Sequence, residues 1–192
     1  MDVTFRDVTV RYGEKTVFSH FTQTLSFAGV TALMGVSGVG KTTFLRVLCG
    51  LEKPQSGTVE GFPARFTYLF QENRLLPWLD TLQNVALASD EASARTALEK
   101  VGLGEELHTK PAALSGGMRR RAALARALAH SSEFLLLDEP FGGLDESLHA
   151  SLLPLLKTEA QRRPVLFVTH DPREAQSLGA EVLELHGSPA EL

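Results

Sequence analysis

The chain has 192 residues, of which 43% are hydrophobic and 22% charged, and its formal net charge is −4. This composition is typical of a globular protein with a hydrophobic core, and the length suits one domain with room for an inserted lobe. The negative charge provides no general attraction to nucleic acid or anionic lipid. A single cysteine, Cys49, excludes an internal disulfide and fits a reducing compartment. No apolar run has the length of a membrane span and no signal peptide is evident, so we expect a cytoplasmic protein.

The N-terminal part of the chain has the pattern of strands followed by one helix. Two alternating runs and one continuously apolar run predict three strands, at residues 3–10, 17–27 and 30–34. A glycine-rich loop follows the third strand, and after it comes a helix with apolar residues on its buried side. Gly50 and Pro54 stand where that helix is expected to end.

Helical patterns dominate the middle of the chain. Strand signals are few over residues 73–113, residues 91–101 have helical periodicity, and an alanine-rich helix runs from Ser115 to about Ala129. Two fully apolar runs, at residues 134–137 and 165–168, then predict buried parallel strands. Asp171, Pro172 and Glu174 form the start of another helix. We therefore predict an α/β fold with a helical lobe inserted into it.

A phosphate-binding loop follows the third predicted strand. Residues 35–42, with the letters GVSGVGKT, fit G-x-x-x-x-G-K-[ST] between a buried strand and a helix. The glycines let backbone N–H groups approach phosphate oxygens, and the N-terminus of the helix attracts anions. Lys41 can bind the β- and γ-phosphates, and the Thr42 hydroxyl can ligate Mg²⁺. The alternative, a chance glycine turn, fits this strand–helix context poorly.

Acidic and imidazole side chains follow two further strands. Asp138 and Glu139 come directly after residues 134–137, and His170 follows residues 165–168. Ligands of open α/β sheets bind beyond the carboxyl ends of the strands, so we expect these residues to lie together. Asp138 would hold Mg²⁺, Glu139 would activate water and His170 would donate to the γ-phosphate. Alone, each would be interpreted as a solvated loop residue or a capping residue.

A further motif makes the interpretation specific. Residues 114–118 read Leu-Ser-Gly-Gly-Met, which resembles the signature sequence of ATP-binding cassette (ABC) ATPases, where glutamine more often stands in place of Met118. With this motif the chain resembles the ABC family from residue 3 to about residue 185. The resemblance implies a P-loop NTPase (RecA-like) core, an N-terminal antiparallel β-subdomain and an inserted α-helical subdomain. It places the core at residues 1–72 and 131–192, and the helical subdomain at residues 73–130.

The resemblance also implies a role for each motif residue. The nucleotide-binding residues would be Tyr12, Gly35, Val36, Ser37, Gly38, Val39, Gly40, Lys41, Thr42 and Thr43. Tyr12 would stack on adenine, and Gln71 would contact Mg²⁺ and the attacking water. The catalytic set would be Glu139, His170, Gln71 and Lys41, and the metal ligands Thr42, Gln71 and Asp138. Asp145 matches the family's D-loop. ATP and Mg²⁺ are the implied cofactors.

The signature segment forms a candidate anion site of its own. Ser115 is a good N-cap, and Gly116 and Gly117 expose backbone N–H groups at the start of a helix bearing three arginines, residues 119–121. By resemblance, Ser115, Gly116, Gly117 and Met118 act in trans on ATP held by a second subunit. ATP would then join a homodimer, or a pair of cassettes, until hydrolysis. The alternative interpretation is a flexible glycine linker.

Three functions compete for this pattern. A transporter motor is favoured over an ABC protein acting on DNA or ribosomes, because long coiled-coil insertions and a second cassette are missing from the sequence. A P-loop kinase would not explain residues 114–118, Gln71 and His170 together. Import is favoured over export, with integral membrane permease subunits as partners, a solute-binding protein as an indirect partner and no nucleic acid. The expected location is the inner face of the cell membrane, as a peripheral subunit.

The segment after Gln71 is the expected contact with the permease. It resembles the corresponding stretch of importers for nitrate, sulfonates, taurine and thiamine. The alternative is that Leu76 and Trp78 belong to the core of the helical lobe. Because the chain stops soon after Pro189, we expect no C-terminal regulatory domain.

Overall fold

A computed structural model describes residues 1–192, apart from the side chain of residue 147. The strands are β1 (Asp2–Tyr12), β2 (Lys15–Ser26), β3 (Val30–Met34), β4 (Ser56–Glu60), β5 (Phe66–Leu69), β6 (Phe134–Asp138), β7 (Val165–Val168) and β8 (Glu181–Glu184). The helices are α1 (Lys41–Leu48), α2 (Thr81–Ala86), α3 (Glu91–Lys100), α4 (Gly116–Ala129), α5 (Glu146–Ala160) and α6 (Pro172–Leu178). Two single 3-10 turns, Gly104–Glu106 and Pro111–Ala113, precede α4.

The strands form two sheets of different kinds. An antiparallel sheet has the order β2-β1-β4, and a parallel sheet has the order β5-β6-β7-β3-β8. The helices α2, α3 and α4 lie between β5 and β6 in the chain. This is the predicted α/β fold, with its antiparallel β-subdomain and its helical insertion. The domain boundaries predicted at residues 72/73 and 130/131 stay predictions.

The predicted strands and helices are all present, but the sequence missed several others. The missed elements are β4, β5, β8, α2 and α5. The strands β4 and β8 are mostly exposed and lack the apolar pattern that reveals a buried strand. Pro154 lies inside α5, where it removes one backbone donor. Because proline is unfavourable inside a helix, the sequence after Asp145 does not predict one. In the described chain, residues 73–113 contain no strand, as predicted.

The parallel sheet separates two hydrophobic cores. Along β6, Leu135 and Leu137 face the core shared with the helical lobe, whereas Phe134 and Leu136 face the core shared with the antiparallel sheet. Successive side chains of a strand point to opposite faces, so a strand covered on both sides is apolar throughout. Every residue of β6 is buried, including Asp138 at its end.

Aromatic rings attach the first helix to the antiparallel sheet. Phe44 on α1 stacks on Phe5 of β1 with ring centroids 5.1 Å apart, and Phe21 of β2 contacts Phe5 edge-on at 5.3 Å. Burying one phenylalanine contributes roughly 1.5–3 kcal/mol, and an aromatic pair adds about 0.5–1.5 kcal/mol. These contacts fix the helix that begins at Lys41, and with it the loop before that helix.

A buried amide organises the loop before α2. Asn84 is fully buried; its side-chain oxygen accepts from the Leu76 N–H at 2.7 Å, and its nitrogen donates to the carbonyls of Leu76, Leu79 and Asp80. The loop therefore has a fixed shape, and it presents Trp78, which is 67% exposed. The interpretation of Trp78 as a core residue is wrong, whereas Leu76 is half-buried. Among the described helices, none is both long and apolar enough to cross a membrane.

Candidate nucleotide-binding and catalytic site

The candidate site residues follow the carboxyl ends of four neighbouring parallel strands. Gln71 follows β5, Asp138 and Glu139 stand at the end of β6, His170 follows β7, and the glycine-rich loop follows β3. These strands are adjacent in the order β5-β6-β7-β3. The topology therefore brings to one sheet edge side chains that are far apart in sequence, as the sequence analysis expected.

The glycine-rich loop requires glycine at two of its positions. Gly35 has a φ of +142°, and a Cβ there would lie 2.3 Å from the Leu185 carbonyl oxygen. Gly40 has a φ of +119°, and a Cβ there would lie 2.5 Å from Val17 Cγ1. Both the backbone angle and the close neighbours exclude a larger residue. The loop packs closely against its neighbours at Gly35 and Gly40, whereas residues 36–38 between them are exposed.

Two lysine ammonium groups contact this loop. Lys41 Nζ donates to the carbonyls of Gly35 at 2.8 Å and Val36 at 3.1 Å, so its charge lies inside the loop. Lys15 Nζ donates to the carbonyl of Gly38 at 2.9 Å. The sequence did not reveal Lys15 as a loop contact, because it is the first residue of β2 and lies far from the loop in the chain. Two positive charges therefore lie at the glycine loop, which suits it to bind phosphates.

Tyr12 is the last residue of β1, and it lies beside the start of the helix that follows this loop. Its ring is 47% exposed, and its hydroxyl donates to Glu52. Partial burial raises the Tyr12 pKa, as does the Glu52 hydrogen bond, whereas a hydrogen bond with Thr43 lowers it. An exposed aromatic face next to Thr43 is the surface on which a nucleobase could stack.

Asp138 sits behind the loop, at the buried end of β6. Its side chain hydrogen-bonds with Thr42 and accepts from the Tyr68 hydroxyl at 3.3 Å. Burial raises the Asp138 pKa, and the bonds from Thr42 and Tyr68 oppose that rise. Burial, and then the charge of Asp138, raise the Tyr68 pKa far above its usual range, so Tyr68 stays a proton donor. Tyr68 was not identified from the sequence, where it is one residue of a short strand.

Gln71 and Glu139 form a direct pair. The Gln71 side-chain nitrogen donates to a Glu139 carboxylate oxygen at 3.2 Å. Glu139 has a φ of +50°, an uncommon angle for a residue other than glycine. Strain of this kind costs about 1–3 kcal/mol and persists where the surroundings fix the backbone. The structure therefore fixes the backbone of Glu139 in an uncommon conformation at the point where its carboxylate meets Gln71.

His170 and Glu139 line a common cleft of about 190 Å³ with Leu144 and Glu174. His170 is exposed, as a residue that meets a ligand would be. Asp145 is the N-cap of α5 and accepts from the Leu148 N–H at 3.0 Å. A larger cleft, of about 670 Å³, lies between α3, the end of α4 and α5, and contains none of the candidate site residues. The smaller cleft is the better candidate for the chemistry, because two of the four predicted catalytic residues, Glu139 and His170, line it.

The signature segment begins helix α4 as predicted. The Ser115 hydroxyl accepts from the Met118 N–H at 3.2 Å, and Ser115 and Gly116 are exposed. A Cβ on Gly117 would lie 3.6 Å from Leu144, so the signature lies against the loop that precedes α5. The structure therefore presents an exposed helix N-terminus with free backbone N–H groups beside the cleft.

The three arginines of α4 do not form one anion site, which corrects the sequence interpretation. Consecutive residues of a helix point about 100° apart, so they face different surroundings. Arg119 donates to the carbonyls of Pro111 and Leu114, and Arg121 to those of Val101 and Gly102. Arg120 is buried and faces the parallel sheet. All three guanidinium groups are engaged with backbone carbonyls of their own chain.

The residues present fit a magnesium ion. Thr42, Asp138 and Gln71 supply a hydroxyl, a carboxylate and an amide, and oxygen donors are what Mg²⁺ prefers. The described residues contain no cluster of three or more His, Cys, Asp and Glu side chains. This small donor set matches the usual manner of Mg²⁺ binding, in which one or two protein ligands act together with substrate phosphates.

The comparisons with known proteins agree with this geometry. The family profile described as "ABC transporter" matches residues 18–142, which is more than half of the chain. The chain belongs to the ABC transporter family. Two structures of the ABC cassette MJ0796 superpose on it: the dimeric structure of the bacterial ABC transporter cassette at TM-score 0.85 and 28% identity, and the dimeric post-hydrolysis state bound to ADP and Pi at TM-score 0.84 and 27% identity. Each comparison covers 95% of this chain and 93% of the other.

Curated relatives of this ABC protein are named as importer subunits. The aliphatic sulfonates import ATP-binding protein SsuB 1 of Paraburkholderia xenovorans is 44% identical over 191 residues, covering 94% of this chain and 56% of the relative. SsuB 2 of Frankia alni is 43% identical over 189 residues, covering 95% of this chain and 76% of the relative. The chain therefore spans little more than half the length of the first of these relatives. Family membership excludes the P-loop kinase alternative.

Proposed function

We propose that this chain is an ATP-hydrolysing cassette that works as a pair and drives an importer. The observation that carries the proposal is the convergence of the Lys41 loop, Asp138, the Gln71–Glu139 pair and His170 at one edge of the parallel sheet. Each of these groups suits one part of phosphoryl transfer from a nucleoside triphosphate to water.

Each site residue has its own part in the proposed hydrolysis. Lys41 and the backbone N–H groups of its loop bind the phosphates, and Tyr12 offers its ring to the base. Glu139 accepts a proton from water as the water oxygen bonds to the γ-phosphorus and the bond to the β–γ bridging oxygen breaks. Gln71 orients Glu139, and His170 donates to the transferred group. Mg²⁺, held by Thr42, Asp138 and Gln71, would neutralise charge on the phosphates.

The site is proposed to be completed by a second chain. The signature N-terminus, residues 115–118, begins with two exposed residues, Ser115 and Gly116, and it carries no anion partner of its own among the described groups. A dimeric arrangement would place it on the nucleotide of the facing subunit, as the dimeric cassette of similar fold supports. Met118 is half-buried and packs against the hydrophobic core. Its thioether is at most a weak hydrogen-bond acceptor, so it lacks the polar contact that a glutamine could make to the facing subunit.

Turnover of the isolated chain should therefore depend on its concentration. We expect ATP hydrolysis per mole of chain to rise with concentration, approaching proportionality to concentration while the monomer dominates, because two chains make one active unit. Phosphate release across a hundredfold dilution series at saturating ATP and Mg²⁺ measures this. Constant specific activity throughout, with no ATP-dependent dimer by light scattering, would show instead that one chain is self-sufficient.

The proposed transporter imports an aliphatic sulfonate. The support is the names of the relatives and their identity above 40%. The proposed partners are membrane permease subunits, with a solute-binding protein acting indirectly, and the proposed place is the cytoplasmic face of the membrane. The fixed loop around Asn84 supports a permease contact, because it holds the large apolar side chain of Trp78 in solvent.

Replacing Trp78 should uncouple the chain from its membrane partner. We expect Trp78→Ser to retain its fold and its basal ATP hydrolysis, and to lose about 2 kcal/mol or more of affinity for permease subunits, since exposed tryptophans often dominate interfaces. Co-purification of membrane subunits from the native host with a tagged chain measures the loss. Val182→Ser on β8 is the matched control, because Val182 is also exposed, at 50%. Equal recovery with both variants would place the contact elsewhere.

A further inference from the structure

Arg120 connects two loops of the site from the helix that begins with the signature. It is 4% exposed, and its guanidinium donates to five backbone carbonyls. The acceptors on the first loop are Phe70 at 2.7 Å and Gln71 at 3.1 Å, and those on the second are Asp138 at 2.7 Å, Glu139 at 2.6 Å and Pro140 at 3.1 Å. The side-chain oxygen of Asn73 lies at 3.5 Å.

The planar fork of arginine suits this arrangement, because its donors point in several fixed directions at once. Nη1 serves the loop after β5 and Nη2 serves the end of β6. A lysine ammonium is a compact point charge that would sit nearer one loop than the other. Burial lowers the Arg120 pKa, whereas the carboxylates of Asp138 and Glu139 raise it.

We propose that Arg120 is a positioning residue that keeps Gln71 and Glu139 in register by binding the backbone of both loops at once. The side chains of Gln71 and Glu139 can form their 3.2 Å hydrogen bond only if the two loops that carry them stay in fixed positions relative to each other. The bridge also accounts for the φ of +50° at Glu139, since the carbonyl of that residue is held by Arg120. Because α4 starts at the signature, its N-terminus and the catalytic carboxylate of the same chain are joined through one side chain. This inference rests on the proposed ATPase function.

The test separates turnover from ATP binding. We expect Arg120→Gln to lower kcat about a hundredfold, the effect of misplacing reactive groups by about 1 Å, while the affinity for a fluorescent ATP analogue changes less than about threefold. Binding is measured without Mg²⁺, because Arg120 holds the backbone of Gln71 and Asp138, two of the proposed Mg²⁺ ligands. It should then be spared, because Arg120 does not touch the Lys41 loop. Arg120→Lys keeps the charge and most of the volume, and it should remain at least about tenfold below the unchanged chain. It also keeps the test available if Arg120→Gln folds poorly.

Hydrogen exchange provides a readout that needs no catalysis. Without nucleotide, Arg120→Gln and Arg120→Lys should exchange faster than the unchanged chain in residues 70–74 and 138–142 together. Arg121→Gln is the matched control, because Arg121 lies on the same helix and also donates to backbone carbonyls. Its acceptors are Val101 and Gly102, which lie outside the two loops that Arg120 binds. It should change exchange only near residues 101–104 and leave kcat within about twofold.

Each outcome decides one proposal. A normal kcat in Arg120→Lys, or equal losses of kcat and ATP affinity in either folded Arg120 variant, would overturn the positioning role. So would faster exchange in only one of the two loops. If the unchanged chain fails to hydrolyse ATP at any concentration, the proposed function fails, while the exchange experiment still tests the bridge.

Discussion

Glu139→Gln should trap the protein as an ATP-bound dimer with almost no turnover. The amide has the size of the carboxylate and can still accept the hydrogen bond from Gln71, but it cannot take a proton from water. General-base catalysis contributes about 10²- to 10⁴-fold, so phosphate release should fall by that factor. Loss of one negative charge near the bound phosphates should at the same time favour ATP binding.

The measurement pairs size-exclusion chromatography, with and without ATP and Mg²⁺, with a phosphate-release assay. Glu133→Gln is the control, because Glu133 is an exposed carboxylate before β6 that pairs only with Arg65 at the surface. It should elute and turn over like the unchanged chain. A Glu139→Gln protein that stays monomeric and active would refute both the role of the carboxylate and the paired site.

Lys41→Ala should remove tight ATP binding and turnover while leaving the fold intact. The ammonium of Lys41 occupies the interior of the glycine loop, and loss of one such charge stabiliser lowers catalysis by about 10²- to 10³-fold. Lys15 is not a substitute, because its ammonium binds Gly38 on the outer part of the loop. Loss of the two hydrogen bonds that Lys41 makes to loop carbonyls should cost about 1–3 kcal/mol of folding stability, at about 0.5–1.5 kcal/mol for each bond.

Equilibrium binding of ATP, phosphate release and a thermal melt together test this expectation. Lys157→Ala on α5 provides the control for removing a lysine outside the site. Near-normal ATP affinity in a folded Lys41→Ala protein would mean that the phosphates bind elsewhere.

The sequence was sufficient for motifs whose chemistry is local. The glycine loop, the Asp138–Glu139 pair and His170 each follow an apolar run, and a parallel sheet aligns such positions at one edge. The same reasoning explains why the alternating and buried strands were predicted while β4 and β8 were not. Their residues are mostly exposed, so pairing with neighbours, and not an apolar pattern, makes them strands.

Contacts between distant segments were beyond the sequence. Arg119, Arg120 and Arg121 form one cationic run in the sequence, but the helix turns them towards three different sets of carbonyls. Tyr68 reaches Asp138 only because β5 and β6 are neighbours, and Lys15 reaches Gly38 only because the antiparallel sheet packs beside the loop. Contacts of this kind depend on which strands are neighbours in the sheets, and a short stretch of sequence does not predict the order of the strands.

The strand order also has a consequence for synthesis of the protein. β3, which leads into the phosphate-binding loop, pairs only with β7 and β8, and both come after residue 164. A nascent chain therefore leaves the ribosome with both edges of β3 unpaired until residues 165–184 have been made. Unpaired strand edges are templates for aggregation. We infer that the growing polypeptide is most vulnerable in this interval, and that the candidate nucleotide site matures only after residues 165–184 have been made.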